Sequence, residues 1–189
     1  MARRPIRLYG DPVLTSRARP LEKITEETRQ LVVDMFETMD AAHGAGLAGN
    51  QVGVLERVLV VDVPGPGEGA PRFREALINP EILATSGEQT DEEGCLSFPR
   101  LYFDVKRPLR VKVRALFLDG TVRELEAEGY LARALLHEVD HLDGVLYIDR
   151  ISPMKRGLLR HRLADIKKRG VAGETRTDTE NAEESQSHE

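Results

Sequence analysis

The spacing of apolar residues predicts where helices begin and end along the chain. Three- and four-residue intervals, typical of an amphipathic helix, separate Leu31, Val32, Met35, Phe36 and Met39. Thr25 is a suitable N-cap, and Glu26 and Glu27 stabilise the positive end of the helix dipole. The pattern therefore predicts a first helix from Thr25 to about His43, ended by Gly44.

Strand-forming segments follow a glycine-rich run at residues 44–51. The first is Arg57–Val63, and the loop at residues 64–71 ends it because its Pro and Gly residues cannot continue a strand. Strand character returns from Glu75 and continues to residue 99. Alternating apolar residues between Arg110 and Glu126, with Asp119-Gly120 at the centre, predict a β-hairpin with a two-residue turn.

A second helical pattern follows this hairpin. Helical spacing relates Leu131, Leu135, Leu136, Val139 and Leu142, and Gly144 ends the run. A last helix is predicted from Ser152 as N-cap, with Pro153 at the first helical position, to about Arg169. Strands grouped around one central helix indicate an α+β fold with mainly antiparallel sheets, an N-terminal helix and a C-terminal helix.

Length and composition favour one domain, residues 1–172, because 189 residues with 40% hydrophobic content suit a single core. Residues 173–189 are predicted to form a disordered acidic tail. From Glu174 onward there are six acids and one base, which account for the whole net charge of −5. The balanced body gives no general attraction to DNA or to a membrane. Without a signal peptide, a membrane span or a cysteine pair, we expect a cytoplasmic protein.

Candidate chemistry lies in the second predicted helix, which carries the sequence HEVDH. Residues four apart share a helix face, so His137 and His141 can bind one divalent ion. Glu138 lies beside that ion and is placed to accept a proton from water. The alternative is two histidines that fall four apart by chance on an amphipathic helix.

The third ligand decides what kind of site this is. A metzincin would have a third histidine where the chain has Tyr147, and a thermolysin-like site would need a helical glutamate downstream. The first glutamate after His141 is Glu174, in the predicted tail. Cys95 remains the candidate, although most free cysteines are small buried apolar residues.

Three segments, taken together and in order, resemble the peptide deformylase family. Residues 44–51, GAGLAGNQ, are similar to the family motif GxGLAxxQ. Residues 93–97 match EGCLS, and residues 137–141 match HExDH. The opening RLYGDPVLTSRARPL is also similar to the family's start, so the resemblance covers about residues 5–169.

The resemblance implies a role for each matching residue. Cys95, His137 and His141 hold the ion, a water completes the tetrahedron, and Glu138 shuttles the proton. In this family the ion is usually Fe²⁺. A thiolate ligand is equally compatible with Zn²⁺, Ni²⁺ or Co²⁺. The implied reaction removes the formyl group from N-formylmethionyl nascent peptides.

The resemblance also implies the groups that meet the substrate. The Gln51 side chain and the backbone N–H of Leu96 stabilise the oxyanion. Gly46 allows a peptide to pair edge-on with the backbone, although it can equally be a simple turn glycine. The chain departs from the usual pattern at Gly49 and Asn50, and a glycine adds backbone freedom beside Gln51.

The last predicted helix is strongly basic. Seven Lys or Arg residues lie between Lys155 and Arg169, and only Asp165 opposes them. This is either a solvated helix face or a docking surface for ribosomal RNA. Two other functions stay open for the whole chain: a metallopeptidase acting on internal peptide bonds, and a structural zinc module or inactive paralogue.

Overall fold

Two antiparallel sheets form the framework of the computed structural model, which describes residues 2–65, 67 and 69–176. Five strands of the described chain form one sheet in the order β1-β2-β3-β6-β7. Their bounds are β1 Gly46–Ala48, β2 Val58–Val63, β3 Phe73–Ser86, β6 Arg110–Leu116 and β7 Val122–Glu128. A second sheet pairs β4 Gln89–Cys95 with β5 Phe98–Arg107.

Four α-helices accompany the two sheets in the described residues. They are α1 Glu26–Ala41, α2 Gly129–Leu142, α3 Pro153–Leu158 and α4 Arg160–Val171. The predicted first helix is confirmed, and its N-cap is Thr25, whose hydroxyl accepts a hydrogen bond from the Thr28 backbone N–H at 3.3 Å. The HEVDH segment lies on α2, as predicted.

Helix α2 packs on the five-stranded sheet and forms the main core. Buried Leu135, Val139 and Leu142 of the helix belong to one apolar cluster with strand residues such as Leu59 and Val113. A second cluster surrounds the small sheet, where Leu163 and Ile166 of α4 pack with Phe98, Leu101 and Val105 of β5. The α+β class with mainly antiparallel sheets around a central helix is confirmed.

The predicted hairpin forms, but its loop is longer than two residues. Leu116 pairs with Val122, and the loop between the strands is closed by a hydrogen bond from Gly120 N–H to the Phe117 carbonyl at 2.9 Å. Gly120 has a φ of 83°, the left-handed conformation that follows a tight turn in three-residue hairpin loops. Asp119 instead caps the loop by accepting the Thr121 N–H.

The C-terminal helix differs from its prediction by an interruption at Leu159, which separates α3 from α4. Gly157 weakens the helix just before this point, since glycine is a poor helix former. The break lets α4 turn Leu163 and Ile166 onto the second core cluster, while Met154 and Leu158 of α3 stay exposed.

Only the first residues of the predicted tail are described, and they pair with the N-terminal segment. Thr175 bridges Arg7, and the Arg176 backbone N–H donates to the Ile6 carbonyl at 2.9 Å. Residues 177–189 lie outside the described residues.

Candidate metal centre and active site

The predicted ligands Cys95, His137 and His141 meet at one point between the two sheets. Cys95 Sγ lies 3.2 Å from His141 Nε2, and that nitrogen lies 3.2 Å from His137 Nε2. The three ligand atoms are all within 4.8 Å of one another. Cys95 is the last residue of β4, whereas both histidines lie on α2.

This geometry fits one tetrahedral ion. Metal–sulfur and metal–nitrogen bonds of about 2.3 and 2.0 Å separate neighbouring ligand atoms by roughly 3.3–3.6 Å in a tetrahedron. The two 3.2 Å separations are close to that range. A thiolate with two imidazoles is also a donor set typical of zinc and of other first-row transition metals.

Glu138 is buried next to the three candidate ligands. Its Oε2 atom has no hydrogen-bond partner among the described residues. Burial raises the pKa of Glu138 to about 7, even though the neighbouring His137 opposes this shift. A carboxyl group with a pKa near neutrality can both accept and release a proton at physiological pH.

Gly46 packs so closely against Glu138 that no residue with a side chain fits at this position. A Cβ built on Gly46 would lie 2.6 Å from Glu138 Oε1 and 2.8 Å from its Cγ. The sequence offered two explanations of this glycine, the approach of a peptide substrate or a simple turn. The structure adds a further reason, because the absence of a side chain at Gly46 makes room for the Glu138 side chain.

Gln51 lies in the 3-10 turn Gly49–Val52, with its side chain oriented by the backbone. The Ala48 N–H donates to Gln51 Oε1 at 2.8 Å, so the Gln51 NH₂ group must point the other way. That NH₂ group lies 3.6 Å from Cys95 Sγ and 3.4 Å from Ser97 Oγ. Gln51 therefore presents a hydrogen-bond donor to the metal centre.

The neighbours of Gln51 hold this turn firmly, despite the expected backbone freedom of Gly49. A Cβ on Gly49 would lie 2.8 Å from the carbonyl oxygens of Val54 and Glu56, so only glycine fits there. The fully buried Asn50 donates its side-chain N–H to the Ser16 carbonyl at 2.6 Å.

An open cleft of about 580 Å³ leads to the candidate centre. The predicted site residues line it with the exception of His141: Gly46, Gln51, Cys95, Leu96, His137 and Glu138. The small Ala45 lines the same cleft, as does Tyr130. Strand β1 is an edge strand of its sheet, and its first residue, Gly46, borders this cleft.

The sequence-based assignment gave no role to Glu93 or Tyr147. Glu93, inside the EGCLS segment, lies 2.6 Å from His137 Nδ1 and is buried. Burial alone would raise the pKa of Glu93, but hydrogen bonds from Arg107 and His137 hold it far below its usual range. Tyr147, where a metzincin would have a ligand, is buried and donates its hydroxyl to the Leu101 carbonyl at 2.7 Å.

Fold and site together define a general class: an α+β protein whose HExxH helix meets a cysteine from a neighbouring strand. The sequence model of the polypeptide deformylase family matches residues 3–157. This chain therefore belongs to the polypeptide deformylase family, whose members are enzymes, and the resemblance seen in the three motifs is confirmed.

Curated relatives agree with this assignment. A peptide deformylase of Clostridium botulinum is 54% identical over 150 residues, which cover 79% of this chain and 97% of the relative. A peptide deformylase of Caldanaerobacter subterraneus subsp. tengcongensis is 50% identical over 151 residues, covering 80% and 91% of the two chains.

Solved structures are similar as well. A peptide deformylase from Legionella pneumophila superposes with a TM-score of 0.79 at 40% identity, covering 88% of this chain and 96% of that one. A peptide deformylase from Ehrlichia chaffeensis, in complex with actinonin, has a TM-score of 0.81 at 38% identity and covers 89% and 98%. In the described part of this chain, no helix has the length and apolar character needed to span a bilayer.

Proposed function

We propose that this chain is a metal-dependent deformylase that hydrolyses the formamide bond of N-formylmethionine at the start of newly made proteins. Water adds to the formyl carbon, the carbon–nitrogen bond breaks, and formate and a free amino terminus are released. The observation that carries the proposal is the convergence of Cys95, His137 and His141 beside the buried Glu138.

In this proposal Cys95, His137 and His141 hold one divalent ion. Fe²⁺ is the expected ion, and Zn²⁺, Ni²⁺ and Co²⁺ suit the same donor set. When bound, the ion supplies Lewis-acid chemistry, which lowers the pKa of water and polarises a carbonyl oxygen. The protein contributes the fixed arrangement of the ligands on β4 and α2.

Glu138 moves the proton. It accepts a proton from the attacking water and delivers it to the leaving amine, so the same carboxyl group acts first as base and then as acid. The unpartnered Oε2 atom and the pKa of about 7 support both steps.

Gln51 and Leu96 stabilise the charge that develops on the formyl oxygen. The Gln51 NH₂ group is already oriented toward Cys95 by the Ala48 N–H, and Leu96 follows Cys95 along the chain and lines the cleft. Preorganised donors of this kind stabilise an oxyanion without any rearrangement during the reaction.

Gly46 belongs to the substrate-binding part of the cleft. Because β1 is an edge strand, an extended peptide can pair with its backbone as an added strand. Such pairing would form hydrogen bonds with the peptide backbone and place the first side chain of the peptide in the cleft beside Ala45.

Formate release tests the function directly. Protein purified without oxygen and loaded with Fe²⁺ is expected to release formate from a formyl-Met peptide and to leave unformylated peptides intact. Glu138→Gln is expected to slow formate release by about 10²–10⁴-fold while keeping the metal, because it removes only the proton carrier. Glu126→Gln is the matched control, because it makes the same change at an exposed glutamate, and it should keep full activity.

The same assay separates the other two functions. Cleavage of internal peptide bonds in unformylated peptides would indicate a metallopeptidase. Tight metal binding without turnover of either peptide would indicate a structural zinc module or an inactive paralogue. The unpartnered, buried Glu138 favours an enzyme, since a structural site needs no proton carrier.

The basic helices α3 and α4 suggest a further partner, the ribosome. The buried residues Leu163 and Ile166 of α4 face the second core, whereas Lys155, Arg156, Arg160 and Lys168 are exposed. Because nascent peptides are made on ribosomes, we propose a cytoplasmic site of action at the ribosome.

Binding of the protein to ribosomes should weaken steeply as the salt concentration rises, and it should fall when Lys167 and Lys168 are replaced by Glu. No binding at low salt would exclude this partner.

A further inference from the structure

A network of buried charges extends from the candidate ligand His137 to the protein surface. Glu93 is its centre and lies 2.6 Å from His137 Nδ1. Arg107 donates to both oxygens of Glu93, at 2.6 and 3.0 Å, and Arg133 donates to Oε2 at 2.9 Å. The side chains of Glu93, Arg107 and Arg133 are each 5% exposed or less.

The outer part of the network joins Arg107 to solvent. Arg107 Nη1 donates to Asp140 Oδ2 at 2.6 Å, and Arg150 Nε donates to the same oxygen at 3.1 Å. The Arg150 side chain is 47% exposed. Asp140, the fourth residue of HEVDH, therefore links a surface arginine to the buried one.

These contacts fix the proton position on His137. Glu93 accepts three N–H groups from two guanidinium groups, so it is an ionised carboxylate that can only accept hydrogen bonds. His137 must then carry its proton on Nδ1, which leaves the Nε2 lone pair facing Cys95 and His141. His141 lacks such an arrangement, because its buried Nδ1 has no partner among the described residues.

We propose that Arg107 and Arg133 are positioning residues that hold Glu93 so that His137 presents Nε2 for metal binding, and that Asp140, held by Arg150, anchors Arg107. Neither arginine lies in the three motifs, and the proposal assigns them a role in metal affinity. It rests on the proposed metal site. A lysine cannot replace Arg107 fully, because it lacks the planar fork that grips the Glu93 carboxylate at two points.

Zinc affinity of the metal-free protein tests this proposal. Competition with a chelator should show about 10–100-fold weaker Zn²⁺ binding for Arg107→Lys, because a change in the residues that hydrogen-bond a metal ligand typically weakens metal affinity by this factor. Weaker Zn²⁺ binding is also expected for Arg133→Lys. Arg110→Lys is the matched control. Arg110 also donates to both oxygens of a glutamate, Glu128, at 2.9 and 3.1 Å, but on the surface.

A second measurement distinguishes positioning from general stability. In nitrogen-15 NMR spectra of the zinc-loaded protein, His137 should show a proton fixed on Nδ1, and Arg107→Lys should weaken that signature while leaving His141 unchanged. The metal-free variants should melt close to the wild type. A loss of zinc affinity that only follows a loss of folding would overturn the proposal.

If Arg107→Lys and Arg133→Lys do not fold, the zinc affinity of Arg150→Gln tests the proposal instead. This half-exposed residue can be changed at little risk to the core, and a smaller weakening of zinc binding is expected. Unchanged zinc affinity in the folded variants, to within about twofold, would refute the positioning role. Wild-type protein that binds no zinc would refute the proposed metal site itself, which is a different failure.

Discussion

Gly46 shows how a single missing side chain shapes the candidate active site. Its backbone packs against Glu138, and there is no space for even a methyl group between them. Substitution at this position should therefore act on the proton carrier and leave the metal ligands in place.

Gly46→Ala is expected to lower kcat for formate release by about 10²-fold, because a displacement of roughly 1 Å at a reacting group has effects of this size. Metal content should stay at the wild-type level. Gly157→Ala is the control, since a Cβ on Gly157 meets nothing within 4 Å. Wild-type kcat in Gly46→Ala would contradict the steric argument.

Gln51 offers a second test at the scale of one residue. Gln51→Glu keeps an oxygen for the Ala48 N–H but removes the NH₂ donor that faces Cys95. Loss of one donor to an oxyanion typically costs about 2.7–4 kcal/mol, so kcat should fall by about 10²–10³-fold. Steady-state kinetics on a formyl-Met peptide, with metal content measured in parallel, would show whether turnover or metal binding is affected.

At the scale of elements, the turn that carries Gln51 is held by its neighbour Asn50. The Asn50 side chain donates to two carbonyl groups, those of Ser16 and Val13, and thereby fastens the turn to the N-terminal segment. Its stabilising role is local but connects two distant parts of the chain.

Asn50→Leu should destabilise the fold by about 1–3 kcal/mol, because it removes two part-buried hydrogen bonds that join the turn to the N-terminal segment. Denaturant unfolding of the metal-free protein measures this change. KM for the formylated peptide should rise as the turn loosens. Stability equal to that of the wild type would mean that the two hydrogen bonds contribute nothing net.

Elements with strong local signals could be predicted from the sequence, and elements that depend on partners could not. Helix α1 has a clear N-cap at Thr25, and the apolar spacing of α2 is regular, so both were predicted. Strand β1 is three residues long in a glycine-rich run, and it forms because β2 supplies hydrogen-bond partners. The hairpin was predicted with too short a loop, since its left-handed Gly120 suits both turn types.

The site followed the same rule. Cys95, His137 and His141 were found because they lie in motifs, and the structure brings them together. Arg107 and Arg133 were missed because nothing in the local sequence shows that a charged side chain will be buried. Both arginines come from segments distant from Glu93 in the sequence, and their ion pairs with Glu93 form only in the folded chain.

At the scale of the whole molecule, the candidate metal centre connects two layers. Cys95 belongs to the two-stranded sheet, whereas His137 and His141 lie on the helix that packs on the five-stranded sheet. An ion held by all three residues therefore cross-links two parts of the fold.

Removal of the ion by a chelator should lower the melting temperature, because a ligand that binds only the folded state stabilises it by mass action. At a free ion concentration of about 100 times Kd the effect is roughly 2.7 kcal/mol. Calorimetry with and without chelator measures the shift, and returning Zn²⁺ should reverse it. A melting temperature independent of the ion would show that the three residues do not bind it.

The separation of the site residues along the chain has a consequence for folding. Gly46, Cys95 and His137 come from three segments, so the cleft forms only when contacts between distant parts of the sequence are in place. No single segment can retain the site after the others unfold. Enzymatic activity should therefore disappear in the same transition as the tertiary structure, which makes turnover a sensitive reporter of global unfolding.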